Sequence, residues 1–174
     1  GPGLMALLRL GKRDYRYASA SDLGFAVGPR LNAAGRLEDM STGIRCLLSQ
    51  DPSEAQELAG QLDELNRQRR SMQDQMQQEA MAQLKDLLPS LEQTDLPPAV
   101  CLFDESWHQG IVGLVASRVK DFVHRPVVAF APESEGSELL KGSARSIKGL
   151  HIRDVLAYVD SRHPGMIEAF GGHA

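Results

Sequence analysis

The sequence predicts an α/β protein in which a long helix follows a helical N-terminal segment and leads into a small domain with a mixed sheet. Three observations support this prediction. Apolar residues keep helical spacing from residue 51 to 88, strand patterns are scarce before residue 50, and short apolar strands alternate with helices after residue 97. Strands that alternate with helices at this spacing are typical of a parallel crossover. We therefore expect three parts, residues 1–50, 51–88 and 97–174.

The N-terminal segment, residues 1–50, contains a run of small and basic residues. Short helices are predicted from Gly3 to Leu10 and from Ile44 to Ser49. Between them lies the run GPRLNAAGRL, residues 28–37, with two glycines, two arginines and an asparagine. Glycine permits close approach of the backbone to a ligand, and guanidinium groups bind phosphate through two hydrogen bonds. The alternative is a loop that leads into a small-residue helix with solvated arginines, and spacing alone does not decide between them.

The predicted long helix has a clear start and end. Asp51 can cap it, Pro52 suits its first position, Glu54 suits a capping box, and Pro89 should end it. Its middle, residues 66–75, is nearly all polar, which favours a connector between two bodies over a core helix or a coiled coil. The predicted face comprises Ala55, Leu58, Leu62, Leu65, Arg69, Met72, Met76, Ala80, Leu84 and Leu87.

The C-terminal segment alternates between strand and helix patterns. The boundary before it is marked by Pro97 and Pro98. The predicted strands are Ala99–Phe103, Pro126–Ala131, Leu139–Ser146 and Met166–Phe170, and the predicted helices are Ile111–Val123 and Ile152–Val159.

Three polar clusters interrupt this scaffold. The first, WHQG at residues 107–110, lies between a strand end and a helix start, where open α/β sheets bind ligands. The second, KGSARS, places Ser143 and Arg145 on one face of a strand, a hydroxyl beside a guanidinium that suits a phosphate group. The third, GGHA, contains His173. Each cluster alone has an ordinary structural explanation, but three in one small domain indicate a site.

Composition and charge limit the function classes. The net charge is −4, yet residues 1–50 carry +3, residues 51–98 carry −6 and residues 99–174 carry −1. The basic N-terminal segment can therefore hold an anion although the whole chain is acidic. Cys46 and Cys101 lack a CxxC or His-spaced partner and suggest reduced, buried thiols of a cytoplasmic protein. The sequence contains no membrane-length apolar run and no metal-binding motif.

Five motifs occur in a fixed order: GPRLNAAGRL, LDELNRQR within the long helix, WHQGIVGLVASR, GSARS and GGHA. Together they resemble the RecJ family of single-strand-specific DNA exonucleases, within the DHH phosphoesterase superfamily. The resemblance implies that residues 1–50 are the C-terminal part of a DHH domain and residues 51–88 a connecting helix. Residues 97–174 would be a DHH-associated domain that stops within the GGHA motif.

The family removes nucleotides from single-stranded DNA in the 5′ to 3′ direction with Mg or Mn, in DNA repair and recombination. The DHH signature and the metal-ligating aspartates are absent from this sequence, so we expect the chain alone to bind no metal and to be inactive. Its expected contribution is placement of the DNA.

The resemblance also assigns site residues. Arg36, Ser143 and Arg145 would hold the 5′-terminal phosphate, because two guanidinium groups and a hydroxyl make a charge-assisted anion site. The residues expected around the same cleft are Asn32, His108, Gln109 and His173. His173 would contact the scissile phosphate or position a carboxylate, and Arg67, Arg69 or Arg70 would face the cleft.

Other functions remain open at this point. A DHH-family phosphodiesterase could act on short oligonucleotides or cyclic dinucleotides, although GPRLNAAGR and GSARS together favour the exonuclease. A non-catalytic nucleic-acid-binding module and a remnant that binds a repair or replication protein are further alternatives. The expected partner is single-stranded DNA, with repair or replication proteins as additional candidates and no membrane.

Overall fold

The computed structural model describes residues 1–87 and 97–172. The chain forms two compact units, Gly1–Asp74 and Gln75–Ala174, and the long helix contributes residues to both. The predicted helix end at residues 88 and 89 lies outside the described residues, as does His173. The three-part division predicted from the sequence stays a prediction.

The first unit is helical. Its elements are α1 (Pro2–Leu10), α2 (Ala20–Asp22), α3 (Gly28–Leu37), α4 (Ser41–Leu48) and the first part of α5 (Pro52–Leu87), with a 3-10 turn at Tyr15–Tyr17 and a π-helical turn at Leu23–Val27. The run GPRLNAAGRL is thus the helix α3 itself. The core of this unit consists of Leu7, Leu8, Val27, Ala33, Ala34, Cys46, Leu58, Ala59, Leu62 and Leu65.

Helix α5 begins as the sequence predicts, with one difference. Pro52 is its first residue, and the carboxylate of Asp51 accepts a hydrogen bond from the backbone N–H of Ser53 at 2.8 Å. The predicted capping box does not form around Glu54. The carboxylate of Glu54 accepts from the hydroxyl of Ser49 at 2.7 Å and pairs with Arg45 at 3.2 Å. These two contacts lower the pKa of Glu54, and they tie α5 to the end of α4.

The predicted apolar face of α5 is present at both ends of the helix. Its buried residues are Ala55, Leu58, Ala59, Leu62, Leu65, Asn66, Met76, Ala80 and Leu84. Residues 67–75 are all exposed or half-buried. The polar middle predicted from the sequence is therefore confirmed.

The second unit contains a three-stranded mixed sheet of β1 (Val100–Phe103), β2 (Val127–Pro132) and β3 (Leu140–Arg145), in that order. Strands β1 and β2 are parallel, with Val100 opposite Val127, and β3 runs antiparallel to β2, with Ser143 opposite Ala129. Helix α6 (Val112–Val123) makes the crossover and packs against β2 and β3. A second helix, α7 (Ile152–Arg162), follows β3. The predicted α/β class with a mixed sheet is confirmed.

Burial alternates along the central strand. Val127, Ala129 and Ala131 of β2 are fully buried, whereas the residues between them are half-buried, as expected for a strand with one covered face. Six residues of α6 are also buried: Val112, Gly113, Val115, Ala116, Val119 and Val123.

Two further expectations from the sequence are wrong. The predicted strand Met166–Phe170 is irregular, because an apolar run becomes a strand only where another strand pairs with it. Met166 is instead 68% exposed. Cys46 is buried as expected, but Cys101 is exposed, because alternate residues of β1 point to opposite faces and only Val100 and Leu102 are covered.

Candidate functional site

Ser143 and Arg145 lie on the face of β3 that meets the first turn of α6. The contact is made at Gly113, the second residue of that helix. A Cβ atom added there would lie 2.7 Å from Nη2 of Arg145 and 3.2 Å from Oγ of Ser143. Glycine therefore lets the guanidinium and the hydroxyl approach the helix backbone closely. The structure brings together Ser143 and Arg145, as the sequence predicts.

Arg145 is held in place by two neutral oxygens. Its Nε donates to the hydroxyl of Ser117 at 2.9 Å, one turn further along α6, and its Nη1 donates to the carbonyl of Ala144 at 2.8 Å. A cation beside a helix N-terminus is unfavourable by itself, because the helix dipole places positive charge there. The N-cap residue, Ile111, offers no side-chain cap. An anion between the first turn of α6 and Arg145 would satisfy both groups.

The loop between β1 and α6 is anchored to α5. The backbone N–H and the hydroxyl of Ser106 both donate to Asp104, at 2.9 and 2.7 Å. Trp107, only 3% exposed, donates its indole N–H to the carboxylate of Glu79 at 2.8 Å. The tryptophan of the WHQG motif is thus a structural anchor that fixes the residues leading into α6.

His108 is oriented by this loop. Its Nδ1 accepts a hydrogen bond from the backbone N–H of Gly110 at 3.0 Å, and its carbonyl accepts from Ile111 at 3.0 Å. In the neutral imidazole the proton must then be on Nε2, which makes Nε2 a hydrogen-bond donor. His108 is half-buried and Gln109 is exposed. Both lie at the N-terminal end of α6, the end at which Ser143 and Arg145 are found.

Helix α3 presents Asn32 and Arg36 at its surface. They are four residues apart and therefore lie on one helix face, and both are exposed. The other arginine of this motif, Arg30, has a structural role. Its Nη2 pairs with Asp63 at 2.7 Å and its Nη1 donates to the carbonyl of Ala26 at 2.6 Å. We therefore do not count Arg30 among the candidates for ligand binding.

The sequence predicts that Arg67, Arg69 or Arg70 faces the cleft. Arg67 is 67% exposed and pairs with Glu64 at 2.6 Å. Arg69 is half-buried and Arg70 is exposed. Which of them faces the DNA stays a prediction.

The sequence interpretation missed Gly113 and Ser117, which define the surroundings of Ser143 and Arg145. A signal for Gly113 existed. A glycine in the first turn of an apolar helix costs helix stability, and such a position commonly has a packing reason. Ser117 could not have been found, because its partner is 28 residues away in the sequence.

Within residues 1–87 and 97–172, no three His, Cys, Asp or Glu side chains are grouped so that they could hold a metal ion. These residues do not fit a two-metal centre, and we assign no metal ligand to them. The same ranges contain no helix that is both long and apolar enough to cross a membrane.

Most of the second unit is similar to a known domain family. Residues 96–174 match the DHHA1 domain. The chain as a whole is 51% identical to the single-stranded-DNA-specific exonuclease RecJ of Escherichia coli over 99% of its length, and 36% identical to that of Bacillus subtilis over 98%. The predicted resemblance to the RecJ family is confirmed. The chain spans 29% of the Escherichia coli relative and 20% of the Bacillus subtilis relative.

The fold is also similar to solved structures. RecJ from Thermus thermophilus in complex with Mg²⁺ matches 99% of this chain with a TM-score of 0.77 and 30% sequence identity, and the match covers 24% of that protein. The complex of the same protein with Mn²⁺ matches with a TM-score of 0.78 and 29% identity.

Proposed function

We propose that this chain is part of a metal-dependent single-stranded-DNA 5′ to 3′ exonuclease of DNA repair and recombination, and that it binds the 5′-terminal phosphate and the DNA strand. One observation carries the phosphate assignment. Ser143 and Arg145 meet the first turn of α6 at Gly113, where a Cβ would lie 2.7 Å from the guanidinium. The similarity to RecJ proteins supports single-stranded DNA as the ligand.

The binding chemistry follows from three kinds of donor. The hydroxyl of Ser143, the guanidinium of Arg145 and the N-terminal amides of α6 all donate hydrogen bonds, and phosphate oxygens accept them. A terminal phosphate monoester carries more charge than an internal diester, so such a site prefers the strand end. His108 Nε2 is a further donor at this end of α6, and Gln109 can contact the sugar or the base.

Arg36 and Asn32 are proposed as additional ligands of the strand on the resemblance to RecJ and on their shared, exposed face of α3. His173 keeps the role proposed from the sequence, which is to contact the scissile phosphate or to position a carboxylate. Mg²⁺ or Mn²⁺ would serve the complete enzyme, and the metal-bound RecJ structures support this.

The test compares two versions of one oligonucleotide, with a 5′-phosphate and with a 5′-hydroxyl, by fluorescence anisotropy. The wild-type chain should prefer the phosphorylated strand. Arg145→Ala should weaken binding of the phosphorylated strand about ten- to hundredfold, because one charge-assisted hydrogen bond contributes about 1.5–3 kcal/mol. The affinity for the 5′-hydroxyl strand should change much less.

Arg125→Ala is the matched control, because Arg125 is a half-buried arginine of the same unit, as Arg145 is, and its Nη1 donates to the carbonyl of His124. An equal loss for both strand ends in Arg145→Ala would overturn the phosphate assignment.

A further inference from the structure

Arg69, in the polar middle of α5, lacks one of the partners that its burial requires. Its Nη1 donates to the side-chain oxygen of Gln73 at 2.8 Å, and its Nη2 donates to that of Asn66 at 3.3 Å. Asn66 is itself 2% exposed. Within the described part of the chain, Nε of Arg69 is a buried nitrogen without a hydrogen-bond partner. Buried donors are nearly always satisfied, so this N–H calls for an explanation.

The charges around Arg69 point to a missing anion. The hydrogen bonds from Nη1 and Nη2 of Arg69 both go to neutral amide oxygens. Burial of the guanidinium is the largest cause that lowers the pKa of Arg69, and the positive charges of Arg70 and Arg36 lower it further. The carboxylate of Asp74 opposes this shift only in part. Two neighbouring cations and one carboxylate thus act on the guanidinium of Arg69. An anion would offset this positive charge and accept the unpaired N–H of Arg69.

We propose that Arg69, supported by Arg70 and Arg36, is a second anion site, which binds an internal phosphodiester of the single strand. The inference rests on the proposed function in taking single-stranded DNA as the ligand. It assigns to Arg69 a phosphate other than the 5′-terminal one at Ser143 and Arg145. Asn66 and Gln73 hold the two terminal nitrogens of the guanidinium, which leaves Nε as the donor for the ligand.

The structure offers a matched control on the same helix. Arg67 carries the same charge two residues away, but it is 67% exposed and already pairs with Glu64 at 2.6 Å and Asp63 at 3.8 Å. A non-specific effect of net charge would be the same for Arg67→Gln and Arg69→Gln. A phosphate site at Arg69 would affect only the second variant.

The first experiment measures binding of a 5′-hydroxyl oligonucleotide at several salt concentrations. At about 50 mM salt, Arg69→Gln should weaken binding about tenfold, and it should reduce the salt slope by about 0.7, the value for one phosphate contact on a single strand. Arg67→Gln should stay within about twofold of the wild type. Arg69→Lys, which keeps the charge without the Nε–H, should lie between them. Equal losses for Arg67→Gln and Arg69→Gln overturn the inference.

The second experiment does not depend on DNA. The Nε–H NMR signal of Arg69, assigned by its disappearance in Arg69→Lys, should shift when inorganic phosphate is added and stay in place when chloride is added to equal ionic strength. The inference is overturned if the addition of phosphate produces no shift that chloride does not also produce. Failure of the proposed function appears separately, as a wild-type chain that does not prefer the 5′-phosphorylated over the 5′-hydroxyl strand.

Discussion

Replacing Gly113 by alanine separates the stability of α6 from its proposed role in phosphate binding. Alanine forms helix better than glycine, by about 0.5–1 kcal/mol in a helix interior, so the fold itself should tolerate the change. The new Cβ would lie 2.7 Å from Nη2 of Arg145 and 3.2 Å from Oγ of Ser143. Both neighbours are side-chain ends, which can move away at little cost to folding. The displaced groups can then no longer reach the same phosphate.

The expected magnitude follows from the contact that is lost. Moving the guanidinium of Arg145 removes one charge-assisted hydrogen bond, about 1.5–3 kcal/mol, so Gly113→Ala should weaken binding of a 5′-phosphorylated strand by about ten- to hundredfold. The affinity of this variant for the 5′-hydroxyl strand should change much less. Thermal unfolding of the variant should occur at the wild-type temperature or slightly above it.

Gly60 provides the control for this substitution. It lies within α5, is exposed, and has no atom within 4 Å of an added Cβ. Gly60→Ala should therefore raise the unfolding temperature and leave both affinities unchanged. A Gly113→Ala chain that folds and keeps the full preference for the 5′-phosphate would refute the reasoning.

Three further predictions concern the contacts that hold each unit together. Asp63→Asn should lower the free energy of unfolding by about 3 kcal/mol, because it leaves the cation of Arg30, 12% exposed, without its partner; urea titration would show this. Trp107→Phe should cost at least about 1.5 kcal/mol in the same assay, because Glu79 loses the indole N–H at 2.8 Å. Cys46 should react with a thiol reagent only as fast as the chain opens, because it is fully buried and burial raises the pKa of its thiol; reaction at the rate of a free thiol would contradict the structure.

The elements that the sequence predicted best are those with strong local signals. Pro52 marks the first residue of α5, and its apolar spacing matches the residues that are buried at both ends of the helix. The continuous apolar run after Pro126 likewise predicted β2, since a buried strand needs few polar positions. Ser143 and Arg145 were placed on one face by the period of a strand alone.

The features that the sequence did not predict depend on partners far along the chain. Arg30 resembles a phosphate ligand in its motif, yet it pairs with Asp63, which is 33 residues away. Met166–Phe170 has the composition of a strand, but no strand within residues 1–87 and 97–172 pairs with it, and local composition contains no information about pairing. Whether Nε of Arg69 has a hydrogen-bond partner likewise depends on the side chains that bury it, and helical periodicity in the sequence does not identify those side chains.

The central claim is that Ser143, Arg145 and the first turn of α6 hold a 5′-terminal phosphate. The most direct measurement follows the backbone N–H signal of Gly113 by NMR while a short oligonucleotide is added, once with a 5′-phosphate and once with a 5′-hydroxyl. We expect a large shift of this signal with the phosphorylated strand and a much smaller one with the 5′-hydroxyl strand. In the Arg145→Ala variant, we expect neither shift. Identical shifts with both strands, or an unchanged response in Arg145→Ala, would contradict it.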